Sequence, residues 1–225
     1  ILNHAQMRQE FTANVSHELK TPLTAISGYA ELIASGMTGG EDTVHFANEI
    51  HRSAERLQSL INDIIKLSEL DDSDLKLEFE TVDLHELGEQ CVSSMQMQAE
   101  KNEVTLQLEG MSVPMSGNKT LLEELLFNLC SNAVRYNKKG GSVTIVTAIE
   151  NTRPVLIVKD TGIGIPKEQQ ERVFERFYRV DKSRSKSTGG TGLGLAIVKH
   201  IVAQHDAQIS MTSEVGVGTE IKVVF

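Results

Sequence analysis

The chain is expected to be an α+β protein of two unlike parts, a long helical hairpin followed by a mixed α/β domain. Three observations predict this. Through about residue 70, apolar residues recur at steps of three and four, with no strand-like alternation. From Leu75 onward, helical patterns and short alternating runs succeed one another. Between the two lies Asp71-Asp72-Ser73-Asp74, acidic and without pattern, which reads as a hinge. The expected division is residues 1–70, a hinge at 71–74 and a second domain at 75–225.

The first helix should run to about Ser35. At about 100° per residue, Phe11, Val15, Leu19, Leu23, Ile26, Ala30 and Ile33 share one sector and form an apolar stripe. Gly36-Met37-Thr38-Gly39-Gly40 then ends the helix and reverses the chain. The second helix carries Val44, Ala47, Ile50, Ala54, Leu57, Ile61, Ile64 and Leu67, with Glu49, Arg52, Glu55 and Arg56 between them. Two such helices bury one stripe each but close no core alone. A homodimer in which two hairpins form a four-helix bundle is therefore expected.

In the second part, 84–99 and 119–136 are helical in pattern, and 193–204 reads as a buried helix. Strands are expected at 104–108, 142–149, 155–159, 208–212 and 219–225. Residues 151–154 and Gly216-Val217-Gly218 supply turns. The result is a helix layer on one face of a mostly antiparallel mixed sheet.

Composition excludes several classes. The 225 residues hold 22 Lys and Arg against 31 Asp and Glu, a net charge of -9, which disfavours a nucleic-acid groove and any direct nucleic-acid partner. Cys91 and Cys130 form no C-x-x-C pair, so neither a zinc site nor a disulfide framework is indicated, and a reducing compartment fits. No apolar run approaches membrane length. The start at Ile1, already within a helical pattern, predicts a piece cut from a longer protein, so any membrane attachment would lie in segments absent from this chain.

The most informative stretch is Phe11-Thr12-Ala13-Asn14-Val15-Ser16-His17-Glu18-Leu19-Lys20-Thr21-Pro22-Leu23. His17 lies opposite the apolar stripe, among Asn14, Thr21 and Thr24, whereas a histidine kept for packing would sit on the stripe. Displayed this way it suits a nucleophile with a docking surface, and the adjacent carboxylate of Glu18 can orient it or take its proton. Thr21 stands where H-E-x-x-H needs a second histidine, so this is no zincin. Pro22 removes the N–H that would reach the Glu18 carbonyl, which predicts a bend just beyond His17. His4, His45, His51, His85, His200 and His205 have no comparable context and read as surface or packing residues.

Clusters in the second part point to a nucleotide. Asn128 and Asn132, at i and i+4, present two amide oxygens on one helix face, a donor type that suits Mg²⁺. Arg135 and Tyr136 follow, offering a phosphate contact and a stacking face; ordinary capping of a helix end is the alternative. Asp160-Thr161-Gly162-Ile163-Gly164-Ile165-Pro166 follows an apolar strand, so Asp160 could accept from an exocyclic amine while Gly162 and Gly164 admit close backbone approach. A tight strand-to-helix turn would look the same. Gly189-Gly190-Thr191-Gly192-Leu193-Gly194-Leu195 opens the buried helix and brings free N–H groups to an anion. The segment 172–186, with six basic residues against two acidic, reads as a lid over phosphates, or alternatively as a solvated linker. Leu195 excludes a P-loop, and Lys167 and Leu195 stand where G-x-G-x-x-G needs its third glycine.

Together these residues resemble the catalytic core of a sensor histidine kinase of two-component signalling. Residues 11–23 are similar to the family's phosphoacceptor H-box, 128–136 to its N-box and 160–166 to its first glycine box. Residues 174–179 are similar to the F-box, 190–195 to the second glycine box and 216–219 to the last. The resemblance implies a dimerising phosphotransfer hairpin and an ATP-binding domain of the Bergerat (GHKL) fold, shared with gyrase, Hsp90 and MutL. It implies ATP and Mg²⁺, with Asn128 and Asn132 serving the metal and Asp160 holding the adenine amine. Arg135, Lys182 and the lid would contact phosphates, Tyr136 would face the base, and Gly162, Gly164, Gly190, Gly192, Leu193, Gly194 and Thr219 would complete the site. His17 would be phosphorylated with the help of Glu18, and the group would pass to an aspartate of a response-regulator receiver domain. Thr21 is the position the family uses to place water for the reverse phosphatase reaction. The implied setting is the cytoplasmic portion of a membrane-anchored bacterial sensor. Two departures stand out: Arg135 where lysine is commoner, and Asp206-Ala207 in place of a usual Gly-Gly turn. The competing expectations are another ATPase of the same fold, which would need no exposed histidine, and a catalytically degenerate ATP-binding signalling module.

Overall fold

The computed structural model describes residues 2–36, 38–71, 77–180 and 190–225. Helices α1 (Leu2–Ala34) and α2 (Glu41–Leu70) form the expected hairpin. Tyr29 stacks on Phe46 near the turn with ring centroids 5.3 Å apart, and Glu18 reaches Arg56 further along, so the helices run antiparallel. Gly36 takes a φ of 69° just past α1, the left-handed geometry that stops a helix without a Cβ penalty. Met37, from the same turn, lies outside the described residues. Helix α1 continues through Pro22 as one element.

The hairpin leaves much of its apolar surface uncovered. Phe11, Val15, Leu19, Ile26 and Ile33 are half-buried, but Leu23 is 55% exposed, and Leu32, Val44, Ile61 and Ile65 also face outward. A second line on α2 behaves differently: Leu60, Leu67 and Leu70 are buried, and this end of the helix packs on α5 (Gly194–Gln204) of the following domain. The hinge expected at 71–74 begins at Asp71, which caps α2 and is ion-paired to Arg176 at 2.7 Å. Residues 72–74 lie outside the described residues.

The second domain is built on a five-stranded sheet of order β2 (Thr105–Gly110), β4 (Ser142–Glu150), β5 (Arg153–Asp160), β7 (Gly218–Val224), β6 (Gln208–Glu214). Only the β2–β4 pair is parallel. Helices α3 (Leu84–Lys101), α4 (Lys119–Arg135) and α5 cover one face, with Leu122, Leu125, Leu126, Ile145, Leu156, Ile197 and Ile201 fully buried between the layers. The sequence did not anticipate a two-stranded antiparallel sheet of β1 (Glu80–Asp83) and β3 (Pro114–Gly117), four residues each and too short for a period-2 signal.

Two caps fix the helices that carry the site. The Asp83 carboxylate accepts from the N–H of His85 and of Val113, starting α3. The Asn118 side chain accepts from the N–H of Leu121 at 3.0 Å, starting α4, while its own backbone N–H donates to His205 Nε2 at 3.1 Å. Where Asp206-Ala207 replaces a Gly-Gly pair, Asp206 takes a φ of 51°, a conformation aspartate tolerates better than most residues, and the turn is kept.

Candidate active site

Strand register places the first anchor. Asp160 ends β5 opposite Thr219 of β7, and the Asp160 Oδ1 accepts from the N–H of Thr219 at 3.2 Å and of Gly162 at 2.8 Å. Oδ2 carries no bond among the described residues. Burial raises the carboxyl pKa above its ordinary value, and the two backbone donors partly offset that. Thr219 in turn shares its hydroxyl with Ser213, whose oxygen also accepts from the N–H of Ile165. Gly164 takes a φ of 69°, and a Cβ there would lie 2.0 Å from the Glu214 carbonyl, so this glycine is required by the fold of the loop itself.

Helix α4 supplies the second anchor. Asn128 donates both amide hydrogens to Glu124, one to its carbonyl and one to its carboxylate, each at 2.9 Å. Its carbonyl oxygen is thereby turned toward the start of α5, where a Cβ on Gly194 would come within 2.8 Å of it. Asn132, Arg135 and Tyr136 follow on the same side. The Arg135 guanidinium and the Tyr136 hydroxyl both close on Gly190, so the tip of Tyr136 reaches the glycine cluster.

These groups line one cavity of about 590 Å³, within the usual range for small-molecule sites. Asn128, Asn132, Arg135, Tyr136, Asp160, Gly164, Gly190, Gly192, Gly194 and Thr219 border it. Gly162 lies behind that wall against the Tyr136 carbonyl, and Leu193 is fully buried beneath it. Lys182 and Gly189 lie outside the described residues, as do all of residues 181–186 of the basic segment expected as a lid.

Two of the described arginines of that segment, Arg176 and Arg179, contact the hairpin. Arg176 pairs with Asp71, touches His200 and lies over the Phe11 ring at 5.1 Å, while Phe11 also packs on Phe177. His200, expected as surface or packing, is part of this cluster. Phe177 is a bulky residue at a φ of 63°, held by its N–H to the Gly192 carbonyl. Arg179 donates to the Gly190 carbonyl and approaches Glu18 at 3.4 Å; its side chain is only 9% exposed, and burial lowers its pKa while Glu18 opposes that.

On α1 the His17 side chain is 81% exposed. Its Nδ1 is 3.9 Å from the Glu18 Oε1, beyond hydrogen-bond distance, while the other Glu18 oxygen lies 3.3 Å from Arg56 and 3.4 Å from Arg179. The Thr21 hydroxyl is turned back onto the His17 carbonyl at 3.2 Å. His17, Glu18, Thr21, Arg56 and Arg172 border a second cavity, which shares Tyr178 and Arg179 with the first. Sequence reasoning placed Arg179 only in the basic lid segment and missed Arg56, Glu124, Ser213 and Asp63, the last of which enters the first cavity from α2.

Comparison with known proteins agrees with this layout. Residues 7–73 match the His Kinase A (phospho-acceptor) domain, and residues 117–225 match the histidine kinase-, DNA gyrase B-, and HSP90-like ATPase family. The sensor-like histidine kinase SenX3 of Mycolicibacterium smegmatis is 39% identical over 220 residues, covering 96% of this chain and 57% of SenX3. The sensor histidine kinase WalK of Bacillus subtilis is 38% identical over 220 residues, covering 96% of this chain and 36% of WalK. The chain thus spans about half the length, or less, of these relatives. Among solved structures, histidine kinase ThkA in complex with response regulator protein TrrA has a TM-score of 0.80 at 22% identity, covering 99% of this chain and 63% of that one. Acinetobacter baumannii histidine kinase AdeS has a TM-score of 0.76 at 23% identity, covering 93% and 96%. Both show the same fold.

The class is therefore that of histidine kinases, whose phosphoacceptor and ATPase-type domains the chain carries in order. Within it, the chain belongs to the sensor histidine kinases, whose catalytic core it forms as a phosphoacceptor hairpin followed by the ATPase-type domain.

Proposed function

We propose that this chain phosphorylates its own His17 from ATP and passes the phosphoryl group to an aspartate of a response-regulator receiver domain. The observation that carries it is the pair of cavities with a common wall: Tyr178 and Arg179 border both the cavity around His17 and the one lined by Asp160, Asn128 and Arg135. A nucleotide in the latter would direct its phosphates toward Arg135 and the N-terminal end of α5, and its exocyclic amine could donate to Asp160 Oδ2, which has no bond among the described residues. The donor set also fits Mg²⁺. With its amide hydrogens committed to Glu124, Asn128 presents only oxygen to the cavity, and Asn132 stands one turn on. The metal, when bound, supplies neutralisation of phosphate charge.

In the transfer, an imidazole nitrogen of His17 attacks the γ-phosphorus, the P–N bond forms as the bond to the bridging oxygen breaks, and ADP leaves. The surplus proton on the ring goes to Glu18, whose carboxylate must close the present 3.9 Å gap by giving up its contacts with the arginines. Thr21 would place water for the reverse phosphatase step once its hydroxyl turns from the His17 carbonyl. Exposed Leu23, Leu32, Val44, Ile61 and Ile65 support a homodimer through the hairpin. We place the domain boundary at the segment 71–74. Among the described residues no helix is long and apolar enough to cross a membrane. Because SenX3 and WalK extend well beyond the matched region, we assign the chain to the cytoplasmic portion of a longer sensor.

Incubation with γ-labelled ATP and Mg²⁺, beside His17→Gln, tests this. Acid-labile, alkali-stable label on the wild type alone is expected. Nucleotide binding without label would instead favour the degenerate module.

A further inference from the structure

Helix α2 carries a buried line at Leu60, Leu67 and Leu70, and the position that completes its three-four-three spacing is Asp63. A leucine there would extend the packing against α5. The carboxylate that replaces it lines the nucleotide cavity of the other domain, where its Oδ2 accepts from the Thr191 hydroxyl at 2.6 Å. Thr191 is 8% exposed, and the same hydroxyl accepts from the N–H of Leu193, the residue that caps α5. Glu124 and Arg135 are the charged groups that face Asp63 from α4. Burial and the Glu124 charge raise its pKa, while the Thr191 bond and Arg135 oppose them.

We propose that Asp63 is a hairpin residue of the nucleotide site, an anion that competes with the nucleotide's phosphates for Arg135 and the N-terminal end of α5. This rests on the nucleotide reading of the cavity. Two anions drawn to one cation and one helix end in a partly buried site repel each other, and α4 already contributes Glu124 to the same rim. A docked hairpin therefore weakens nucleotide binding. By reciprocity, a bound nucleotide weakens the contact of α2 with the glycine cluster. The arrangement of the hairpin and the occupancy of the cavity become one equilibrium.

The test is calorimetric titration of the whole chain with a non-hydrolysable ATP analogue plus Mg²⁺, and separately with adenosine, which lacks phosphates. Asp63→Asn keeps the shape and removes the charge; Asp63→Ser serves if the first variant misfolds. The expected result is analogue binding about five- to tenfold tighter in the variant, with adenosine affinity unchanged. Unchanged or weaker analogue binding overturns the proposal, and so does an equal gain for adenosine. If neither ligand binds the wild type, the nucleotide reading itself fails, and this inference goes with it.

Discussion

The cavity of the second domain and the face of α1 around His17 are built in opposite ways. In the cavity the polar groups are tied down from behind: Asp160 by two backbone N–H groups, Asn128 by both acceptors of Glu124, Thr219 by Ser213. His17 is displayed on an open helix face, its nearest carboxylate is out of bonding range, and that carboxylate is shared with arginines from two different elements. The difference fits two tasks. Binding a nucleotide rewards groups fixed in advance. A residue that must accept a group from one protein surface and surrender it to another needs partners it can exchange.

If that contrast is right, the largest effect belongs to Glu18. Glu18→Gln removes the carboxylate adjacent to His17 and reaches the nucleotide cavity only through Arg179, so the rate of self-phosphorylation should fall about 100-fold while nucleotide affinity changes far less, measured as label incorporation against calorimetric binding. A loss of affinity instead would show that the two regions are not separable. Asp160→Asn should do the reverse. Losing an acceptor for a charge-assisted bond should weaken nucleotide binding by about 10- to 100-fold. The empty domain should nevertheless gain stability. A carboxyl whose folded pKa is raised stabilises the fold only below the ordinary value of 3.8, and that contribution is lost as pH rises through the raised value, so at neutral pH the buried charge is a burden that asparagine removes. A higher melting temperature in the variant without nucleotide checks this.

The same contrast governs what could be read from residues alone. Asp160, Asn128, Asn132, Arg135 and the glycine cluster were legible because each sits at a fixed offset on a regular element, and the sheet register and helix starts bring them together. The exposure of His17 was legible from one helical period. Asp63 against Thr191 and Glu18 against Arg179 were not, because those partners stand 128 and 161 residues apart and meet only through the way the hairpin docks on the second domain. Arg179 accordingly looked like part of a phosphate lid and proves to be wedged between Glu18 and Gly190. The one hint in the pattern was a carboxylate in the apolar line of α2. The pair β1 and β3 was hidden for a simpler reason, since each is only four residues long and β3 opens on a proline.

The smallest expected effect concerns the scaffold under the cavity. His205 Nε2 accepts the N–H of Asn118, which starts α4, so its Nδ1 carries the hydrogen and donates to the Ile201 carbonyl at 2.8 Å. Burial between Phe79 and Phe225 lowers its pKa below the ordinary 6.5, with the Ile201 bond opposing. As pH falls below about 6.5 the unfolded chain takes up this proton first, so stability present at neutral pH is lost progressively toward the lowered folded value, by at most about 1.4 kcal/mol per pH unit. His200, lowered by burial in the same direction, adds to the slope. Chemical denaturation at pH 7.5 and 5.5 should therefore show a loss in the wild type that is reduced, and not abolished, in His205→Gln, which keeps an acceptor for Asn118 and cannot protonate. An identical loss in both would mean that the start of α4 does not depend on a neutral imidazole. The helix carrying Asn128 and Asn132 would then be held by the Asn118 cap and its buried leucines alone.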